Sequence, residues 1–156
     1  MYSLYCHTNK SNGKKYVGIT SGKPAERWRL GEGYKKHRHF YPDIKQYGWE
    51  GFTHEIICSN LSRDDAEWLE SFYIGYWNTA AWGPNGYDPD VVRGYNVVPG
   101  EAPLNAYWEG IEARERGDVL TPQDVLQDLH ASLERWDKLW EKEKARFKEV
   151  DPTKNE

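Results

Sequence analysis

Cysteine is scarce in this chain: Cys6 and Cys58 are the only two in 156 residues. They are too few for a disulfide framework and lack the C-x-x-C spacing of a zinc site, so both are expected as reduced, buried thiols. No stretch approaches the ~18 consecutive apolar residues of a membrane span. The opening "MYSLYCHTNK" has no basic segment leading into an apolar one. Internal repeats, low-complexity tracts, helix-turn-helix patterns and zinc modules are also missing. A soluble, cytoplasmic protein with no membrane partner is expected. Acidic charge is sparse at the N-terminal end, where residues 1–57 hold ten Lys/Arg against five Asp/Glu, whereas residues 58–156 hold eleven against twenty. The net charge of −4 therefore averages a basic half and an acidic one, and a basic surface can steer a polyanion.

Aromatic residues are plentiful, with eleven Tyr and eight Trp. Residues 2–7 and 15–19 carry Tyr, Val and Ile around "KSNGK", whose Asn-Gly pair suits a hairpin turn. "SGKPAERWRL" places Ser21 ahead of a proline that opens a short helix over 24–30, ended by Gly31 and Gly33. "FYPDIKQYGW" gives a second short helix stopped by Gly48, and "FTHEII" a third strand over 52–57. Ser62, with Asp65 three residues on, caps a helix over 63–77. Residues 78–100 read as a long ordered loop rich in Gly, Pro and Asn, with a short strand at 91–93. Two helices follow, 103–116 closed by Gly117 and 122–149 opened by Thr121 and Pro122. The last bears Val125, Leu129, Leu133, Trp136, Trp140 and Phe147 in one stripe, a core face or a dimer seam, with Glu134 set to meet Lys138. The class is α+β, with residues 1–100 forming one domain and 101–156 an acidic helical extension that packs on it or mediates a homodimer.

The 63–77 helix carries the first chemical signal. At about 100° per residue, Ala66, Leu69, Tyr73, Ile74 and Trp77 share one arc, and Glu70 lies within it. A carboxylate turned toward an apolar side must be paired, protonated, metal-bound or open to a cleft. Tyr5, Tyr16, Arg27 and Asn96 are the other polar residues that a plain hairpin and helix do not require. Singly each has an ordinary reading: strand tyrosines pack, arginines pair at the surface, and Asn after Gly94 forms turns. As a set they combine phenols that relay protons, a guanidinium that neutralises phosphate oxygens and a carboxylate that can hold Mg²⁺. That set suits phosphodiester cleavage.

At these residues the sequence resembles the GIY-YIG nuclease superfamily. The two strand motifs read "SLY" (Ser3, Leu4, Tyr5) and "YVG" (Tyr16, Val17, Gly18). The helical arginine is Arg27 in "PAERW", the helical glutamate Glu70 in "EWLESFYI", and the late asparagine Asn96 in "GYN". The resemblance spans residues 2–98, and "KQYGWEGFTHEII" is similar to small stand-alone and phage or mobile-element members. Ser3 and Leu4 replace Gly and Ile, and Gly31 stands where some members carry a histidine, a place that "HRH" (His37 to His39) could fill. His7 and His54 are read as structural.

The resemblance implies a three-stranded antiparallel sheet flanked by helices and a DNA endonuclease, bacterial or phage-encoded, that hydrolyses phosphodiesters with one Mg²⁺ or Mn²⁺ at Glu70. Tyr5 is then the first choice to activate water with Tyr16 orienting it, although the two could exchange; Arg27 clamps the phosphate and Asn96 positions the site. Lys10, Lys14, Lys15, Arg29, Lys35, Lys36, His37, Arg38 and His39 would contact DNA, and RNA stays open as a substrate. Two other readings stand beside this one: an idle nuclease-like adaptor working through the acidic tail, and a tail that mimics nucleic acid over the basic site. Restriction, mobility, repair and defence are all compatible roles.

Overall fold

The alternation of apolar and polar residues before and after the turn produces a hairpin of fixed register. β1 (Tyr2–Asn9) and β2 (Lys15–Thr20) pair antiparallel, with Tyr5 opposite Gly18 and His7 opposite Tyr16. In the turn the Asn9 side-chain oxygen accepts the backbone N–H groups of Ser11 and Asn12, and Gly13 takes φ +74°, the positive value that glycine tolerates. The computed structural model describes residues 1–81, 93–97 and 104–150, with side chains to 148. β3 (Phe52–Leu61) pairs antiparallel with the other edge of β1, giving the order β2-β1-β3. Its register jumps at Ile57, since Leu4 faces Cys58 while Tyr5 faces Ile56, a bulge in the edge strand.

Period two gives the sheet two different faces. Tyr5, His7 and Asn9 point to one, Leu4 and Cys6 to the other. Over the first lie α1 (Pro24–Trp28), a 3₁₀ segment Arg29–Tyr34, and α2 (Tyr41–Tyr47), which supply Tyr34, Phe40 and Ile44 to an aromatic core with Tyr5, Phe52 and Tyr95. Ser21 does not cap α1: Lys23 is the N-cap, without a side-chain cap bond. The helix also ends before residue 30, because Arg29 and Leu30 turn left-handed.

α3 (Arg63–Tyr76) packs on β1 and β2 and begins as the sequence indicates, with Ser62 Oγ accepting the Asp65 N–H at 3.2 Å. Ala66, Leu69, Tyr73 and Ile74 are buried as expected, and so are Ser71, Phe72 and Gly75. α4 (Leu104–Arg116) covers that further side, so α3 is enclosed between sheet and helix. The Tyr76 hydroxyl donates to the Asp118 carbonyl just beyond α4.

Met1–Val119 form one compact unit and Leu120–Glu156 a second. α4, assigned from sequence to the extension, thus lies in the first unit. The second is α5 (Pro122–Val150), opened by a reciprocal cap in which Thr121 Oγ1 accepts the Asp124 N–H and Asp124 accepts that of Thr121. Along its stripe Val125 is buried, whereas Leu133, Trp136, Trp140 and Phe147 are all more than half exposed. Glu134 and Lys138 meet at 3.5 Å.

The architecture is α+β, and among the described residues no helix is long and apolar enough to cross a membrane. Cys6 is buried, Cys58 half-buried, and both are free thiols. Most of the strand expected at 91–93 lies outside the described residues, and Arg93 itself is irregular.

Candidate functional site

The hairpin register explains the glycine of "YVG". Tyr5 and Gly18 face each other, and the Tyr5 ring lies across Gly18 so closely that a Cβ there would stand 2.5 Å from the phenol oxygen and 2.6 Å from Cζ. Only a hydrogen fits, and the strand's lack of a side chain at Gly18 is what lets Tyr5 lie flat and buried, 1 % exposed. Tyr16 is half-buried and so nearer to solvent.

Arg27 owes its place to an unusual backbone reversal. After α1 the chain passes through Arg29 (φ 43°), Leu30 (φ 53°) and Gly31 (φ 99°). A left-handed non-glycine residue costs roughly 1–3 kcal/mol, and the turn returns Gly33 to its own helix, where its carbonyl accepts Arg27 Nη1 at 2.7 Å. The guanidinium carbon lies 4.6 Å from the Tyr34 ring centroid, a cation–π contact. Arg27 is therefore held rigidly beside the phenols.

Charge ties these groups to Glu70, which projects half-buried from α3. Burial pushes the Tyr5 phenol up; the Tyr34 hydrogen bond and the Arg27 charge pull it back, while the Glu70 charge adds to the rise. Tyr16 is raised by burial, then by Tyr5, with Arg27 again lowering and Glu70 raising it. Both phenols thus feel the same cation and the same carboxylate.

Asn96 stands one step away, at the β2 edge. Its Nδ2 donates to the Val17 carbonyl at 2.9 Å, while Oδ1 accepts the Val17 N–H at 3.0 Å and the Thr79 hydroxyl at 2.7 Å. It is 6 % exposed. Its contacts fasten the 95–97 segment to the residue between Tyr16 and Gly18.

A row of buried hydrogen bonds runs inward from Tyr5, and sequence reasoning missed it. The Tyr34 hydroxyl lies 3.0 Å from that of Tyr5, to which it can donate, and 2.8 Å from His7 Nε2. His7 Nδ1 is 2.9 Å from His54 Nδ1, and His54 Nε2 is 3.0 Å from the Trp49 carbonyl. His7 is 0 % exposed and lies with its ring 5.1 Å from that of Tyr5 and 4.9 Å from that of His54. The signal was the spacing of two between Tyr5 and His7, which sets both on one face; the His54 contact needed the β1–β3 register, and Tyr34 needed the reversal after α1. Burial, then His54 and Arg27, lower the His7 pKa to about 2. Burial lowers that of His54 as well, opposed by its bond to the Trp49 carbonyl.

Of the cationic candidates, Lys10, Arg29, Lys35, Lys36 and Arg38 are exposed, and Lys14 and Lys15 are half-buried. Lys10 Nζ donates to the Glu50 carbonyl and Lys15 Nζ to Thr8 Oγ1. His37 packs edge-on to Tyr16, at 5.4 Å between centroids, while its Nδ1 accepts the Phe40 N–H. It thereby borders the phenols; His39 is half-buried beyond it. Among the described residues no group of three or more His, Cys, Asp or Glu is placed to hold a metal. A single carboxylate serves an ion such as Mg²⁺ only where the ion keeps several waters and takes other ligands from a substrate. No protein-family model matches the chain, and neither a curated protein nor a solved structure does so.

Proposed function

We propose that this protein is a metal-dependent DNA endonuclease of the GIY-YIG kind, acting in the cytoplasm of a bacterial or phage-infected cell. The reading is supported by Tyr5 seated on Gly18 in the β1–β2 hairpin, with both phenols under the influence of the Arg27 guanidinium and the Glu70 carboxylate. Glu70 would hold Mg²⁺ or Mn²⁺, which when bound polarises the scissile phosphate and stabilises the leaving oxygen. Arg27, anchored on the Gly33 carbonyl and the Tyr34 ring, offers its remaining N–H groups to the phosphate as negative charge grows there. Tyr5 is the phenol assigned to activate the attacking water, a part that it and Tyr16 could exchange. Tyr16, the more open phenol, orients that water, and Asn96 keeps β2 and its tyrosine in place. The exposed cations at 29–38 and at the hairpin turn meet the DNA backbone, so affinity falls steeply with added salt.

The test is nicking of supercoiled plasmid and single-stranded DNA in Mn²⁺ and in EDTA, with Glu70→Gln beside the wild type. Metal-dependent cleavage that Glu70→Gln loses, while keeping its melting temperature, is the expected outcome. Full activity in Glu70→Gln would remove the one-metal scheme, and an inert wild type the whole reading.

One observation favours a second reading, an adaptor or homodimer that works through α5: Leu133, Trp136, Trp140 and Phe147 are exposed along one stripe, and exposed apolar faces mark interaction sites. Sedimentation of Trp136→Glu against the wild type separates the two, because an adaptor through this face would lose its association and a nuclease would keep its cleavage.

A further inference from the structure

We infer that α5 pairs with the α5 of a second copy of this chain, antiparallel and centred near Trp140, so that Asp137 of each copy lies beside Lys144 of the other. The inference rests on the reading of α5 as an association face, and it holds whether or not the chain cuts DNA. Leu126, Leu129, Leu133, Trp136, Trp140 and Phe147 follow one another at alternating steps of three and four residues, with Glu143 as the one polar break in the series. That is the heptad spacing which keeps a single seam turned toward a facing helix along its whole length. Leu126 and Leu129 are half-buried, whereas Leu133 is 53 % exposed, Trp136 69 %, Trp140 60 % and Phe147 68 %. The uncovered part of the seam thus runs from Leu133 to Phe147, with Trp140 at its midpoint. Aromatic side chains bury about 150–250 Å² each, so joining three of them and the leucines beside them from each copy removes roughly 1,000 Å² from water, the size at which specific interfaces begin.

The charges beside the seam identify the occupant and its direction. Asp137 and Lys144 are seven residues apart, two helical turns, and so share one edge of the seam. Lys144 Nζ lies 5.8 Å from the Trp140 ring centroid, which sets that charge against the stripe. Antiparallel helices bring the same edge of both copies together, and a two-fold axis next to Trp140 places position 137 of one opposite position 144 of the other. The carboxylate–ammonium contact is then made twice. Parallel helices would instead set Asp137 level with Asp137 and Lys144 level with Lys144. The same antiparallel register lays Trp136 on Phe147 of the other copy and Trp140 against Glu143, whose carboxylate can accept the indole N–H. The polar break in the seam thereby gains a partner. Within one chain Lys144 stands 3.2 Å from Glu141 and Glu143 3.7 Å from Arg146; such exposed pairs are weak and readily exchanged.

The experiment is sedimentation equilibrium of the full-length protein in low salt, with circular dichroism of every variant to confirm that the helices are kept. The wild type is expected as a dimer, at twice the 18.3 kDa of one chain. Asp137→Lys and Lys144→Asp each set like charges together in both contacts and should raise the dimer dissociation constant about 10-fold. The variant carrying both substitutions exchanges the charges and should regain the wild-type constant. Added salt should narrow all of these differences. Both side chains are exposed, so neither substitution disturbs a core. A dimer indifferent to the single reversals, or one that the exchange does not restore, would overturn the antiparallel pairing while leaving a homodimer through α5 standing. A wild type that stays monomeric at every concentration reached would overturn the pairing and that homodimer together.

Discussion

Gly18→Ala tests the seat of Tyr5. The added Cβ would start 2.5 Å from the Tyr5 oxygen and 2.6 Å from Cζ, against the ~3.5–4.0 Å that carbon contacts need, so the ring must retreat by roughly 1 Å. Tyr5 is 1 % exposed and packed against Tyr34, Phe40 and Trp28, which leaves little room to retreat. Overpacking of this kind costs about 1–3 kcal/mol, or about 2–4 °C of melting temperature per kcal/mol at this chain length. A shift of 1 Å also lengthens the 3.0 Å bond to Tyr34 past hydrogen-bond range and displaces the phenol, which can reduce turnover about 10²-fold. Gly22→Ala is the control, since nothing lies within 4 Å of a Cβ there. Thermal melting and single-turnover nicking of both variants decide the matter. A Gly18→Ala protein with the melting temperature and turnover of Gly22→Ala would refute the close approach and, with it, the assignment of Tyr5 as the seated phenol.

Three further outcomes follow from the same geometry. Arg27→Lys keeps the charge but loses the fork that spans Gly33 and the phosphate; kcat should fall about 10²-fold with little change in DNA affinity, measured by gel shift beside steady-state kinetics. Asn96→Ala removes three bonds to Val17 and Thr79 and should cost about 3 kcal/mol in denaturant unfolding, whereas a loss under 1 kcal/mol would show that the 95–97 segment does not depend on it. His7 has a folded pKa of about 2 against an ordinary 6.5, so the unfolded chain binds more protons below pH 6.5. Stability is then full above that pH and declines by about 1.4 kcal/mol per unit as pH falls toward 2; a melting temperature that stays flat from pH 7 to 4.5 would contradict the buried neutral ring.

The strands and the two cap signals at Ser62 and Thr121 were legible because each depends on neighbours within a few residues. The hairpin register followed as well, since the Asn9–Gly13 turn fixes it. What sequence could not supply were contacts set at a distance. The end of α1 depends on two non-glycine residues accepting left-handed backbone, against their local preference, and Arg27 is held only because of that reversal. Ser71, Phe72 and Gly75 are buried since α4 returns across α3, which the period of α3 does not encode.

The α5 stripe shows the same limit from the other side. A spacing of three and four marks an apolar face equally well whether the face is covered by its own chain or left open, so Val125 and Trp140 read alike although one is buried and the other 60 % exposed. The buried row at Tyr5 is the converse case. His7 and His54 stand 47 residues apart and carry no shared motif, yet antiparallel pairing sets them opposite each other, and the sealed face then forces each ring nitrogen to find a partner. Local pattern thus names the groups assigned to the phosphate in the proposed reaction, while the register of the sheet decides which further groups are hydrogen-bonded behind them.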